Sequence, residues 1–273
     1  MTDQAQSWSQ AAKTYEQDFI DPYRAGVQSP LEQALRKLAD PARKTVADLG
    51  CGTGPLLPFL SEHFQHVLAI DFAPGMLERA RTGSASLRNV EFFQLALTDL
   101  APLAGGVDVA VAVNSLVMPE IPAVEESLRQ IHRLLRPGGV FLGIVPAMDG
   151  VHYHTMLLVD RALAAGKPIE AARKNAAHFA EHALYDFAFG QFRYQGLEQH
   201  FWQPFEVSYR LQRAGFRCVQ LERVLLSWEQ LACAEDLKQS PPPWDWFFQA
   251  ELDVPSPAAP LPGSGGEEST SHR

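Results

Sequence analysis

The sequence predicts an α/β protein: a doubly wound, mostly parallel sheet with helices on both faces and an inserted helical cap after the fifth strand. Three observations carry this expectation. Short, continuously apolar runs alternate with amphipathic helical stretches over residues 29–145, as in strands buried on both faces. A glycine loop, Gly50-Cys51-Gly52-Thr53-Gly54, stands between the first strand and the helix after it. The alternation breaks over residues 147–200 and then resumes, the pattern of an insertion.

The first helix opens with Ser29 as N-cap and Pro30 at its first position, and sets Leu31, Leu35 and Leu38 on one face. A strand at 46–49, a short helix through Leu56, Leu57 and Leu60, and a strand at 67–70 complete one βαβ unit. Pro74 opens the next helix (Met76, Leu77, Ala80), followed by strands at 90–93 and 109–113. A helix over 122–136 aligns Leu128, Ile131 and Leu135, stops at Pro137-Gly138-Gly139 and feeds the strand 140–145. In the cap, helical stretches at 155–165 and 168–185 are split by Gly166-Lys167-Pro168. A helix over 205–214, stopped by Gly215, precedes an extended run at 217–226 that has no obvious strand partner. The aromatic stretch 241–248 is expected to pack back on the domain.

The expected organisation is N-terminal helices and a cofactor-binding α/β core over 1–146, a substrate-binding cap over 147–200, the rest of the α/β domain over 201–253, and a disordered Pro/Gly/Ser-rich tail over 254–273. With 273 residues, 46% of them hydrophobic, the chain can bury a full-sized core. A formal charge of -9 repels polyanions, so nucleic acid is not an expected partner. Cys51, Cys218 and Cys233 form neither a disulfide framework nor a Cys-x-x-Cys pair, which fits a reducing cytoplasm. The first twenty residues hold no apolar core of a signal peptide and no run of about 18 apolar residues occurs, so neither secretion nor a membrane partner is expected.

The loop spacing is Gly-x-Gly-x-Gly, and Pro55 stands where a dinucleotide fingerprint needs its third glycine, which disfavours NAD. Asp71, ending the second strand, can accept both hydrogens of a ribose diol; in isolation it also reads as a cap for the Pro74 helix. Cys51 reads as a small apolar filler, since no basic neighbour lowers its pKa.

The stretch VADLGCGTG at 46–54 resembles the first motif of the class I S-adenosylmethionine-dependent methyltransferases. Similar pieces are 69–77 (AIDFAPGML), Val107-Asp108 and 134–139 (LLRPGG), with weaker likeness at 203–216. The resemblance implies S-adenosylmethionine as cofactor, with Gly50, Gly52 and Gly54 along its methionyl part and Asp71 on its ribose. Asp48 would lie beside the amino group, Phe72 and Met76 near adenine, and Cys51, Leu97 and Asn114 complete the expected cofactor set. Leu95-Ala96 replaces the Gly-Asp such enzymes often carry after the third strand, so the usual carboxylate for the adenine amine is missing.

Displacement at a sulfonium methyl needs alignment and exclusion of water more than a nucleophilic residue. A small organic acceptor is expected beneath the cap, with His178, His182, His200 and Tyr194 as candidate bases. His178-Phe179-Ala180-Glu181-His182 also matches the His-x-x-Glu-His pattern of zinc peptidases, but no metal is expected, because the rest of the chain resembles no peptidase and the chemistry needs none. Trp8, Tyr15 and Phe19 are spaced to form a helix closing over the cofactor. The rival reading is a cofactor-binding or partner-binding protein without catalysis, which fold alone does not separate from an enzyme.

Overall fold

The computed structural model describes residues 2–12, 22–23, 26–178, 190–194, 197–231 and 235–252. Its centre is a seven-stranded sheet built from β1 (Thr45–Leu49), β2 (His66–Asp71), β3 (Val90–Gln94), β4 (Val107–Val113), β5 (Leu135–Val145), β8 (Phe216–Leu225) and β9 (Trp244–Leu252), in the order β3-β2-β1-β4-β5-β9-β8. The first five strands pair in parallel, and β9 runs antiparallel to both its neighbours. A separate hairpin joins β6 (Gln191–Tyr194) to β7 (Leu197–His200).

Period-2 alternation sorts each strand's residues between two cores. Ala47 and Leu49 of β1, Leu68 and Ile70 of β2 and Phe141 of β5 face one side. There they meet Val124, Leu128 and Ile131 of α5 (Ile121–Leu134) and Val207 and Leu211 of α8 (Pro204–Arg213). Val46, Val67, Ala69 and Leu142 face the other side, against α2 (Leu31–Arg36), α3 (Leu57–His63) and α4 (Pro74–Gly83). Burial on both faces is why these strands read as apolar runs.

Helix α2 is shorter than expected. The Ser29 hydroxyl accepts the Leu31 N–H at 3.3 Å, Leu31 and Leu35 are buried, and Leu38 follows the helix's end at Arg36. The larger departure is β9: the stretch expected merely to pack back on the domain is the strand inserted between β5 and β8, and so supplies the partner that seemed lacking. Its Trp244, Trp246, Phe247 and Phe248 favour a strand, but three prolines precede it, an aspartate (Asp245) sits inside it and its burial follows no clean alternation, so its period did not mark it as one.

After β5 come α6 (Met148–Ala164) and α7 (Ile169–His178), then the hairpin. The second cap helix, expected to reach residue 185, is described only to His178; residues 179–189, His182 among them, lie outside the described residues, as do Tyr15, Phe19 and the 254–273 tail. Helix α1 (Thr2–Ala11) lies on α4: the Ser9 hydroxyl accepts the Gly75 N–H at 3.2 Å, and the Arg79 guanidinium donates to the Ala12 carbonyl. No described helix is long and apolar enough to cross a membrane.

Candidate functional site

Strand order reverses direction between β1 and β4, and a crevice opens above their carboxyl ends, the usual ligand position in such sheets. Gly50 leaves β1 with a φ of +71°, and a Cβ there would stand 2.4 Å from the Cβ of Ser115, just past β4. Only glycine lets the two strand ends approach this closely. The N–H groups of Gly50 and Cys51 both donate to the Ile70 carbonyl, at 2.7 and 2.9 Å, which folds the loop over β2.

Asp71 ends β2 and ties down the loop's far side. Its Oδ2 accepts the Gly52 N–H at 2.9 Å and its Oδ1 the Ala73 N–H at 2.8 Å. The capping position of α4 is Ala73, so Asp71 is not the helix cap. Each carboxylate oxygen keeps a lone pair for a ligand. Burial pushes its pKa up, against the lowering effect of its backbone hydrogen bonds. Beneath it, Asp48 is enclosed, and its Oδ2 has no hydrogen-bond partner among the described residues. Burial first, and the Asp71 charge second, push Asp48 up to about 7.

A cavity of about 260 Å³ fills the crevice. One wall is Gly50, Gly52, Asp71, Phe72, Met76 and Leu97, six members of the expected cofactor set, with Asn114 at the junction. Asn114 is held at a φ of +49° by its N–H bond to the Ile144 carbonyl, 2.8 Å. The other wall comes from α1 (Gln4, Trp8), from residues 115–127, and from Glu198 of the hairpin.

Three members of the cofactor set stand behind this lining. Asp48 lies below it. Cys51 is buried, its thiol pushed well above its ordinary range by burial and then by Asp48 and Asp71, which suits a filler and not a nucleophile. Gly54, with a φ of +84°, takes a packing role: a Cβ there would meet the Leu57 side chain at 2.8 Å and the Ala80 Cβ at 3.2 Å. Where the adenine carboxylate is missing, Ala96, Leu97 and Thr98 line the cavity in a turn closed by the Asp99 N–H on the Ala96 carbonyl, 2.9 Å, and the Asp99 side chain does not reach the lining.

The expected catalytic group fares differently. His200 is corrected: it is fully buried and away from the lining, with its ring edge-to-face on Trp202 at 4.9 Å and Nε2 3.2 Å from Glu206. Burial alone would raise Glu206, but His200 and Arg210 hold its carboxyl below the usual range. The His200 N–H donates to the Val117 carbonyl at 3.0 Å and the Trp202 indole to the Leu116 carbonyl at 2.8 Å, so this corner anchors the segment after β4. His178 and Tyr194 are described in backbone only, as the end of α7 and the end of β6. No described side chain of α6 or α7 lines the cavity.

Sequence reasoning missed the far wall apart from Trp8. Its signal was faint: Ser127 is a small polar residue beside the apolar stripe Val124, Leu128 and Ile131 on α5.

The residues fit a nucleoside. A Cβ on Gly52 would meet nothing within 4 Å, leaving room for a ligand against the backbone, and Asp71 offers acceptors beside that room. The comparisons agree. Residues 46–139 match the family model described as a methyltransferase domain. The malonyl-[acyl-carrier protein] O-methyltransferase of Serratia marcescens is 35% identical over 99 residues, 35% of each chain. The trans-aconitate 2-methyltransferase of Deinococcus radiodurans is 29% identical over 147 residues, 53% of this chain and 54% of that protein. The matches therefore span about a third to a half of these relatives. Among solved structures, the 1,6-didemethyltoxoflavin-N1-methyltransferase of Burkholderia thailandensis, bound to its acceptor and S-adenosylhomocysteine, superposes with a TM-score of 0.59 at 17% identity, over 92% of this chain and 86% of that one. Residues 46–139 thus match a methyltransferase domain, and the chain shares the fold of an S-adenosylmethionine-dependent methyltransferase.

Proposed function

We propose that this chain transfers a methyl group from S-adenosylmethionine to a small organic acceptor. The observation that carries the reading is the single cavity in which the Gly50–Gly52 loop, Asp71, Phe72, Met76 and Leu97 face a second, largely apolar wall. When bound, the donor supplies an activated methyl on a positively charged sulfur. Asp71 would hold the ribose diol, Asp48 would support the loop from below, and Phe72 and Met76 would flank the adenine. Trp8 and Met118 would exclude water from the transfer path.

The names of the relatives point to acceptors of different kinds, and the acidic chain disfavours a polyanion. A small molecule suits a cavity of about 260 Å³. The scattered cysteines suit a reducing cytoplasm as the place of action. Catalysis here rests on alignment; His178, His182 and Tyr194 remain in the proposal as groups beside the acceptor, and His200 as a support of the wall. The test is calorimetry with S-adenosylhomocysteine, followed by mass spectrometry for methylated products in a metabolite extract supplied with S-adenosylmethionine. Micromolar binding and a new product are expected; absence of binding overturns the reading.

A further inference from the structure

Resting on that reading, we propose that the acceptor is an amine on a small molecule with an apolar body, and that Glu120 is the carboxylate that receives it. With the glycine loop and Asp71 given to the donor, the second wall is left for the acceptor. Along it, Glu120, Ala123 and Ser127 stand three and four residues apart, on one face of the start of α5. At 1.5 Å per residue the stripe is about 10 Å long, the length of a small amphiphile.

Its two ends differ in chemistry. Glu120 is exposed at the mouth; its backbone carbonyl accepts the Ala123 and Val124 N–H groups, and its carboxylate forms no ion pair or hydrogen bond among the described residues. Ser127 lines the cavity at the inner end; it is fully buried, and its Oγ has no hydrogen-bond partner among the described residues. A hydroxyl is not left this way without cost, so Ser127 points independently to a polar group on the missing molecule. Between them, Ala123, Val117 and Met118 offer apolar surface.

Charge then selects the acceptor. The lining holds three carboxylates, Asp71, Glu120 and Glu198, and no lysine, arginine or histidine among the described residues. Glu198 is already matched by Arg193 at 2.6 Å, across the hairpin, which leaves Glu120 as the open charge. A carboxylate acceptor would enter against these charges with no cationic side chain of the described lining to meet it, whereas an ammonium meets Glu120. The bound ammonium gives one proton to water at the open mouth. Its freed lone pair forms the N–C bond to the donor methyl as the S–C bond breaks, and that bonding pair stays on sulfur. The products are the N-methylammonium and the neutral thioether, with one proton released.

The test uses protein loaded with S-adenosylhomocysteine and two probes of one shape and opposite charge, 2-phenylethylamine and 3-phenylpropanoate, followed by calorimetry. The amine is expected to bind at least about 10-fold more tightly, with the preference falling to within about 3-fold in Glu120→Gln and returning in Glu120→Asp. Equal or tighter binding of 3-phenylpropanoate, no binding of the amine at millimolar concentration, or a preference untouched by Glu120→Gln overturns the proposal. Failure of S-adenosylhomocysteine itself to bind is a separate result, and it overturns the donor reading on which the proposal rests.

Discussion

The two walls of the cavity are made in different ways. The wall proposed for the donor comes from the continuous run from β1 to just past β3, and its loop is fixed by backbone: glycines at positive φ, and N–H groups held by Ile70 and Asp71. The second wall draws on α1, the segment after β4, the start of α5 and the β6–β7 hairpin, and is fixed by side chains that meet only in the folded molecule. A backbone-made wall tolerates few substitutions and keeps one ligand; a side-chain wall can be re-lined residue by residue without disturbing its partner.

The sharpest way to break this contrast lies at the glycines. In Gly50→Ala the left-handed backbone costs about 1–2 kcal/mol and the clash with Ser115 about 1–3 more, so both stability and S-adenosylhomocysteine binding should collapse. Gly52→Ala has open space around its Cβ and carries only the backbone term, about 1–2 kcal/mol, so it should fold and lose affinity. Thermal unfolding and calorimetry on the pair separate the effects; equal melting temperatures for the two would show that the Gly50 contact is not binding the strand ends together.

Asp71→Ala comes next. Losing hydrogen bonds to a charged group should weaken S-adenosylhomocysteine binding by about 1.5–3 kcal/mol, read by calorimetry. Unchanged affinity would remove Asp71 from the donor wall.

Asp48 sharpens the comparison through pH. Its folded pKa, about 7, lies above the ordinary 3.8, so the folded protein holds a proton that the unfolded chain releases between those values. Its contribution to stability is therefore present below pH 4 and is lost as pH rises toward 7. Asp245 is raised to about 7 in the same way by burial, partly opposed by the Ala147 N–H and Asn114. Asp48→Asn should gain melting temperature over the wild type at pH 8 and much less at pH 5, with a smaller gain for Asp245→Asn, whose oxygens are already hydrogen-bonded. A pH-independent difference would mean that Asp48 stays ionised in the fold.

The smallest effect belongs to the second wall. Met118→Ala removes apolar contact worth on the order of 1 kcal/mol, so acceptor KM should rise about 5-fold while S-adenosylhomocysteine affinity holds. A matching loss of donor affinity would show that the two walls are not independent.

This division also explains what could be read from the sequence. Apolar runs between helix signals exposed β1, β2, β4 and β5 through burial on both faces, and positive φ left local marks in the loop such as Gly50 and Gly52 beside the strand-end Asp71; the edge strand β3, with no fully buried residue, was legible from its β-favouring residues. The packing role of Gly54 was hidden, since the same residue type serves close approach to a helix or to a ligand. His200 looked like a base because nothing in its neighbours announces Trp202 and Glu206 as its enclosure. Ser127 carries only a faint local mark and Glu120 none: their meeting depends on where α5 lands against β4.

The placement of β9 bears on how the molecule is assembled. This strand lies between β5 and β8, bonded to both, yet it is the last in chain order. During synthesis the β5 edge, with Phe141 and Ile144, must wait for residues about a hundred positions later before its ladder closes. Until then the apolar β5 and the mixed β8 present unsatisfied edges, the situation that chaperones shield and that invites pairing between chains. A chain stopped before Trp244 would keep every donor-wall residue and still be prone to aggregation, so its solubility, more than its loop, would decide whether it could work.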